Sequence, residues 1–156
     1  MSNEAIDSVI KSLNERKTVQ AILPDNLADF ALSPEEESLI KSHKPYQALI
    51  IYGSLAPGRP NHKVVEPIKG EWKAAVIKGR LEEKGWGAEM GFFGFAPADA
   101  GEQSAIDCHV LISEALIDNW ALLDEFEGDG YRRILAKYEL PNGCIGVGYI
   151  YALSQN

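Results

Sequence analysis

The chain is short of cysteine, histidine and positive charge. Its 156 residues include two cysteines, three histidines, and 15 lysines and arginines against 23 acids, for a net charge of −8. Each shortage excludes something. One cysteine pair cannot staple a disulfide-built domain, and a chain of this length buries enough surface to need no staple, so Cys108 and Cys144 are expected as reduced thiols. His43, His62, His109 and Cys108 lack any close ligand spacing, so no metal site is expected. Binding to phosphate backbones needs clustered Lys and Arg. Residues 1–45 carry a net charge of −3 and residues 46–156 a net charge of −5, so no basic domain hides behind an acidic tail. Nucleic acid and anionic membrane surfaces are therefore not expected partners. No apolar run approaches the roughly 20 residues that span a bilayer. The polar start Met-Ser-Asn-Glu lacks the basic flank and apolar stretch of a secretory signal, and a cytoplasmic location is expected.

What is present is the composition of an ordinary globular core, 46% apolar and 24% charged, enough for one domain with an appendage. Ala5, Ile6, Val9, Ile10 and Leu13 recur at helical spacing and predict a helix over residues 3–15. Ser33-Pro34-Glu35-Glu36 combines a capping serine, a proline at the first helical position and a glutamate three residues on, which predicts a helix to about Ser42. Leu23-Pro24-Asp25-Asn26 marks a turn between them. A stripe this narrow must pack on the rest of the chain or on another subunit.

Beyond Lys44-Pro45 the pattern turns to strands. Residues 47–51 read as a buried strand delivered into a turn at Tyr52-Gly53, residues 71–84 as a half-buried strand, and residues 105–113 as a further buried one. Segment 85–101 holds five of the 14 glycines and reads as a loop or a pair of irregular strands. Ser113 is placed to cap a helix over 114–125, with Leu116, Trp120, Leu123 and Phe126 on one face. Strands over 131–140 and 145–153 close the chain around a Pro141-Asn142-Gly143 turn. Strands around one well-formed helix predict an α+β fold, with the sheet able to curl into a barrel. The predicted division is a helical extension, 1–45, and a barrel domain, 46–156.

Three places could carry chemistry. In Tyr52-Gly53-Ser54-Leu55-Ala56-Pro57-Gly58, a glycine after a buried strand permits a sharp turn whose N–H groups converge on an anion. The same run is also an ordinary structural turn. A phosphate-binding loop fails there, because Arg59-Pro60 stands where Lys and Ser/Thr are needed. In Leu122-Leu123-Asp124-Glu125-Phe126-Glu127-Gly128, acids gather at a helix C-terminus against the macrodipole. They read as a solvated helix end, or, if Glu127 is turned inward among aromatics, as a carboxyl whose pKa rises toward that of a general base. In Tyr131-Arg132-Arg133, adjacent strand side chains face opposite ways, so one arginine can turn in to pair with a carboxylate while the other stays in water. Ser54 and His62 lack an evident third residue for a nucleophilic triad.

The order of these motifs, a strand ending Tyr-Gly-Ser-Leu with Pro60-Asn61-His62 behind it, then Leu-Asp-Glu-Phe-Glu-Gly, Tyr-Arg-Arg and a closing strand pair, resembles the gamma-glutamylcyclotransferase-like family over residues 47–152. The resemblance implies a small mixed β-barrel flanked by helices. It implies Glu127 as the catalytic glutamate and Tyr52, Gly53, Ser54 and Leu55 as the loop that binds a γ-glutamyl group, with Arg133 and Tyr151 supporting the site. The implied reaction turns a γ-glutamyl small molecule into 5-oxoproline and a free amine, with no cofactor. Two other readings stay open. One is a non-catalytic binding or regulatory protein that uses the same pocket, with the N-terminal helices as an interaction or homo-oligomer surface. The other is a related amide-cleaving or acyl-transfer enzyme.

Overall fold

Four apolar residues in a row form a strand buried on both faces, and Ala48–Ile51 (β1) is buried throughout. Ala48 and Ile50 join one apolar cluster, Leu49 and Ile51 another, as the alternation of a strand requires. The computed structural model describes residues 3–16, 21–52, 65–82, 94–97, 105–127 and 131–153. β1 pairs antiparallel with β4 (Ala105–Ile112), from Ala48 opposite Ile112 to Ile51 opposite His109. β4 pairs in turn with the long β2 (Glu71–Glu82). β2 meets β5 (Tyr131–Glu139) where Val76 lies opposite Glu139. β5 runs antiparallel to β6 (Ile145–Leu153) along its whole length, and β6 returns parallel to β1 at Leu49–Tyr149 and Ile50–Ile150. The ring of five strands thereby closes into a mixed barrel, and the short β3 (Gly94–Pro97) bridges β2 and β6. This is the α+β barrel expected from the sequence, and part of the glycine-rich segment is strand.

One cluster fills the barrel and contains Ile50, Ala75, Ile77, Cys108, Val110, Ile134, Tyr138 and Ile150. The other lies between the outer barrel wall and the helices. Burial pushes the Cys108 thiol up to about 12, so it stays protonated, while Cys144 is exposed; both are free. The hairpin between β5 and β6 is a three-residue loop. The Gly143 N–H donates to Leu140 O, the Leu140 N–H donates to Cys144 O, and Gly143 takes φ 87°, the left-handed position that such a loop needs.

The helix expected over 114–125 is two pieces. Residues Glu114–Asp118 form a 3₁₀ turn, and α3 spans Trp120–Glu127. The Ser113 hydroxyl accepts from the Ala115 N–H and donates to Lys69 O, which ties the first turn to the segment leading into β2. The expected apolar face survives the break: Leu116, Trp120 and Leu123 are buried, and Phe126 packs at the cluster's edge. Trp120 also donates Nε1–H to Tyr46 O at 2.9 Å.

The N-terminal helices complete the outer core. α1 (Asn3–Glu15) buries Ile6, Val9, Ile10 and Leu13 in the cluster that holds Leu135, Val147 and Tyr149. Burying four such side chains is worth on the order of 6–10 kcal/mol before entropy, so the stripe finds its partner on the barrel. α1 also seals a seam. Among the described residues, β2 pairs with β5 only at Glu139, which leaves Leu135 without a strand partner on that side. There the Asn14 amide takes the place of a strand, donating to Leu135 O at 3.0 Å and accepting from its N–H at 2.8 Å. α2 (Pro34–His43) starts with the expected capping box. Its Glu36, 2% exposed, accepts from the Ser33 N–H, the Ser12 hydroxyl, and Nε and Nη2 of Arg16, and so joins the two helices. No helix among the described residues is long and apolar enough to cross a membrane.

Candidate active site

α3 lies against β5 and β6, and its last two turns carry the acids. Trp120 and Leu123 face the core, Ala121, Leu122 and Glu125 face water, and Asp124, Phe126 and Glu127 sit half-buried between. Positions 124 and 127 share a helix face, so the geometry that anchors the first acid also aims the second.

Asp124 is anchored from both strands beneath it. Arg133 on β5 donates Nε–H to Oδ1 and Nη2–H to Oδ2, each at 3.1 Å, a two-point pair that suits the planar guanidinium. Tyr151 on β6 donates its hydroxyl to Oδ1 at 2.6 Å. The Arg133 side chain is only 4% exposed and also lies over the Tyr149 ring, Cζ 5.1 Å from the centroid. Tyr149 is held edge-on by Trp120 with ring centroids 5.1 Å apart, and its hydroxyl accepts from the Ile22 N–H. The acids at this helix end are thus not simply solvated. One of them is matched by a buried cation, which answers the unfavourable placement against the helix dipole.

Glu127 is the last residue of α3. Burial pushes its carboxyl up to about 7, because the charged form loses hydration it would have in water. Tyr151 stands close enough to feel the charges of Asp124, Arg133 and Glu127 together. Its own ionisation is driven far up, first by burial and then by the hydrogen bond it gives to Asp124. At neutral pH it is a phenol whose proton points at Asp124. Tyr52, the residue after β1, donates its hydroxyl to the main-chain oxygen of Tyr151 at 2.7 Å, which ties the end of β1 to the same strand.

Of the residues singled out from sequence, the structure therefore brings Tyr52, Glu127, Arg133 and Tyr151 to one end of the barrel. Gly53, Ser54 and Leu55 lie outside the described residues. Arg133 is the arginine that turns in, and its guanidinium rests on Asp124. Arg132 departs from the expectation that it would stay in water. It donates to Asn14 O, where a cation meets the carbonyl end of α1. Asp124 was visible in sequence only as one of several neighbouring acids. Its i, i+3 spacing to Glu127 and the Tyr-Arg-Arg motif were the available signals.

A cavity of about 730 Å³ opens beside Tyr52, lined by Ala75 and Val76 on β2, Cys108 and His109 on β4, and Leu140 past the end of β5, among others. Glu127, Asp124, Arg133 and Tyr151 do not line it; Tyr52 is the residue common to the cavity and the carboxyl cluster.

No family model matches the sequence, and no curated protein matches it. Solved structures do. An AIG2-like protein from Mus musculus aligns with a TM-score of 0.50 at 17% identity, covering 70% of this chain and 78% of that one. The protein YkqA from Bacillus subtilis aligns with a TM-score of 0.54 at 21% identity over 69% of this chain. This chain spans only 36% of that protein's length. A protein of Arabidopsis thaliana aligns with a TM-score of 0.50 at 21% identity, covering 69% of this chain and 68% of that one. At these identities the likeness is one of fold, and the fold is gamma-glutamylcyclotransferase-like.

Proposed function

We propose that this chain is a gamma-glutamyl cyclotransferase-type enzyme acting on a small γ-glutamyl compound. The observation that supports the reading is the Glu127 carboxyl, held at the end of α3 with its proton affinity pushed up to about 7. A group with that affinity takes and returns a proton near neutral pH without a large penalty in either direction.

Nucleophile and electrophile of the reaction belong to one molecule. The protein's work is to fold the substrate into an attack geometry and to move a proton. Glu127 as carboxylate takes a proton from the substrate α-ammonium. The free amine attacks the γ-carbonyl carbon, and a C–N bond forms as the carbonyl π electrons move to oxygen. When the tetrahedral species collapses, the original amide C–N bond breaks, Glu127 returns its proton to the departing nitrogen, the attacking nitrogen gives up its second proton to the departing amine or to water, and 5-oxoproline and an amine remain. Neither oxidant nor metal enters this balance. Tyr151, Asp124 and Arg133 hold the floor beneath Glu127.

The test is release of 5-oxoproline from a panel of γ-glutamyl amines, amino acids and peptides, followed by chromatography. Glu127→Gln is expected to lower turnover by at least 100-fold, of the order that general acid–base catalysis contributes, with the fold intact by circular dichroism. Wild-type activity in that variant, on a substrate that the wild type cyclises, overturns the assignment. Release of glutamate instead of 5-oxoproline would identify an amide-cleaving enzyme, and binding without turnover a non-catalytic pocket.

A further inference from the structure

We propose that Asp124 is a positioning residue that engages the Arg133 guanidinium in a two-point pair and so keeps that cation off the Glu127 carboxyl. The inference rests on Glu127 as the proton-handling group of the proposed reaction, and it concerns what sets that group's behaviour.

Arg133 is buried and needs an anion. Two carboxylates are offered to it by the same helix face, Asp124 and Glu127, three residues apart. Nε and Nη2 both go to Asp124, one to each oxygen. Tyr151 closes the arrangement by donating to Oδ1, so three hydrogen bonds from β5 and β6 fix one carboxylate. Stacking on Tyr149 holds the guanidinium plane in the same place from below. The titratable and charged groups that the structure places in one neighbourhood with Glu127 are Tyr151 on β6 and, through it, Asp124 on its own helix and Arg133 on β5, while Glu125 on that helix is exposed. Arg133 supplies the positive charge of this set.

The consequence follows from the size of a close ion pair. A cation within about 4–6 Å lowers a carboxyl pKa by about 1–3. If Arg133 turned to Glu127, the carboxyl would become a committed anion, a poor acceptor of the substrate's proton. Burial pushes Glu127 up instead, the behaviour expected where a neighbouring acid has claimed the arginine.

The experiment is a carbon-detected NMR titration of the Glu127 side-chain carboxyl in the full chain, in wild type and three variants. The pH profile of kcat/KM for 5-oxoproline release is measured alongside. In Asp124→Asn the midpoint is expected to fall by at least 1 pH unit, because the released arginine turns to Glu127. In Arg133→Met the cation is gone, so the midpoint is expected to rise. In the double variant both charges are gone, and the midpoint is expected to return to within about half a unit of wild type. Opposite displacements that cancel are not produced by a strut whose loss merely loosens α3. An unchanged midpoint in Asp124→Asn overturns the proposal. If that variant does not fold, an unchanged or lowered midpoint in Arg133→Met does so. The titration needs no turnover: movement as described in a chain that releases no 5-oxoproline retires the enzyme reading and leaves the positioning role standing. Turnover with immobile midpoints does the reverse.

Discussion

Replacing Glu36 with glutamine should make the protein's stability depend less on pH, and the structure supplies the size of the effect. Glu36 receives Nε and Nη2 of Arg16 at 3.0 and 2.6 Å, the Ser12 hydroxyl at 2.7 Å and the Ser33 N–H at 2.9 Å. These donors, Arg16 first, lower its carboxyl from 4.5 to about 2. A carboxyl whose folded pKa is depressed stabilises the fold fully above its unfolded value, and that contribution is lost as pH falls through the folded value. The interval between about 4.5 and about 2 corresponds to about 3 kcal/mol. The Arg16 side chain is 31% exposed, so solvent screening reduces this to about 2 kcal/mol. Urea unfolding of wild type and Glu36→Gln at pH 7, 5, 4, 3 and 2.5 reads the difference directly, since other carboxylates titrate equally in both. The variant should be less stable by about 2 kcal/mol at pH 7, with the gap narrowing below pH 4.5 and about three quarters of it gone at pH 2.5. A gap that stays constant from pH 7 to 2.5 refutes the reasoning, because it would show that the carboxylate's charge is not what joins α1 to α2.

Other perturbations have equally definite outcomes. Asn14→Ala removes the amide that stands in for a strand beside Leu135 and leaves two main-chain groups to find water; a loss of about 2 kcal/mol in chemical denaturation is expected, with faster amide exchange at Leu135. Trp120→Phe keeps a six-membered aromatic ring but loses the pyrrole ring and its N–H donor to Tyr46 O, and thermal unfolding should report a loss of about 1–2 kcal/mol. Glu127→Gln should stabilise the fold. A raised carboxyl pKa costs nothing below pH 4.5 and its full amount above about 7, so the gain should be near zero at pH 4 and reach about 2–3 kcal/mol at pH 9. Equal unfolding temperatures for that variant and wild type at pH 9 would contradict the buried placement of the carboxyl.

Much of this was legible residue by residue. The capping box at Ser33 and Glu36, the strand read over 47–51, which begins at Ala48, the hairpin at 141–143 and the apolar face Leu116, Trp120, Leu123 are local patterns, each set by one element's own geometry. The break at Asn119, whose N–H closes the 3₁₀ turn on Leu116 O and whose carbonyl accepts from the Leu123 N–H, was not. Within the candidate site, Glu127 stood out as an acid between an aromatic and a glycine at a helix end. That Arg133 would choose Asp124 could not be read, since three acids within one turn offer it equivalent charge.

Sequence alone determined that the chain would be an acidic α+β domain with its unusual carboxyls at one helix terminus, because composition, periodicity and turn chemistry act over a few residues. The tertiary structure decided what those carboxyls are. Asp124 meets the cation and Glu127 meets burial because α3 is laid over β5 and β6 with one face down. The energy of a charge depends on what surrounds it within a few ångströms in space, and chain position does not specify those neighbours.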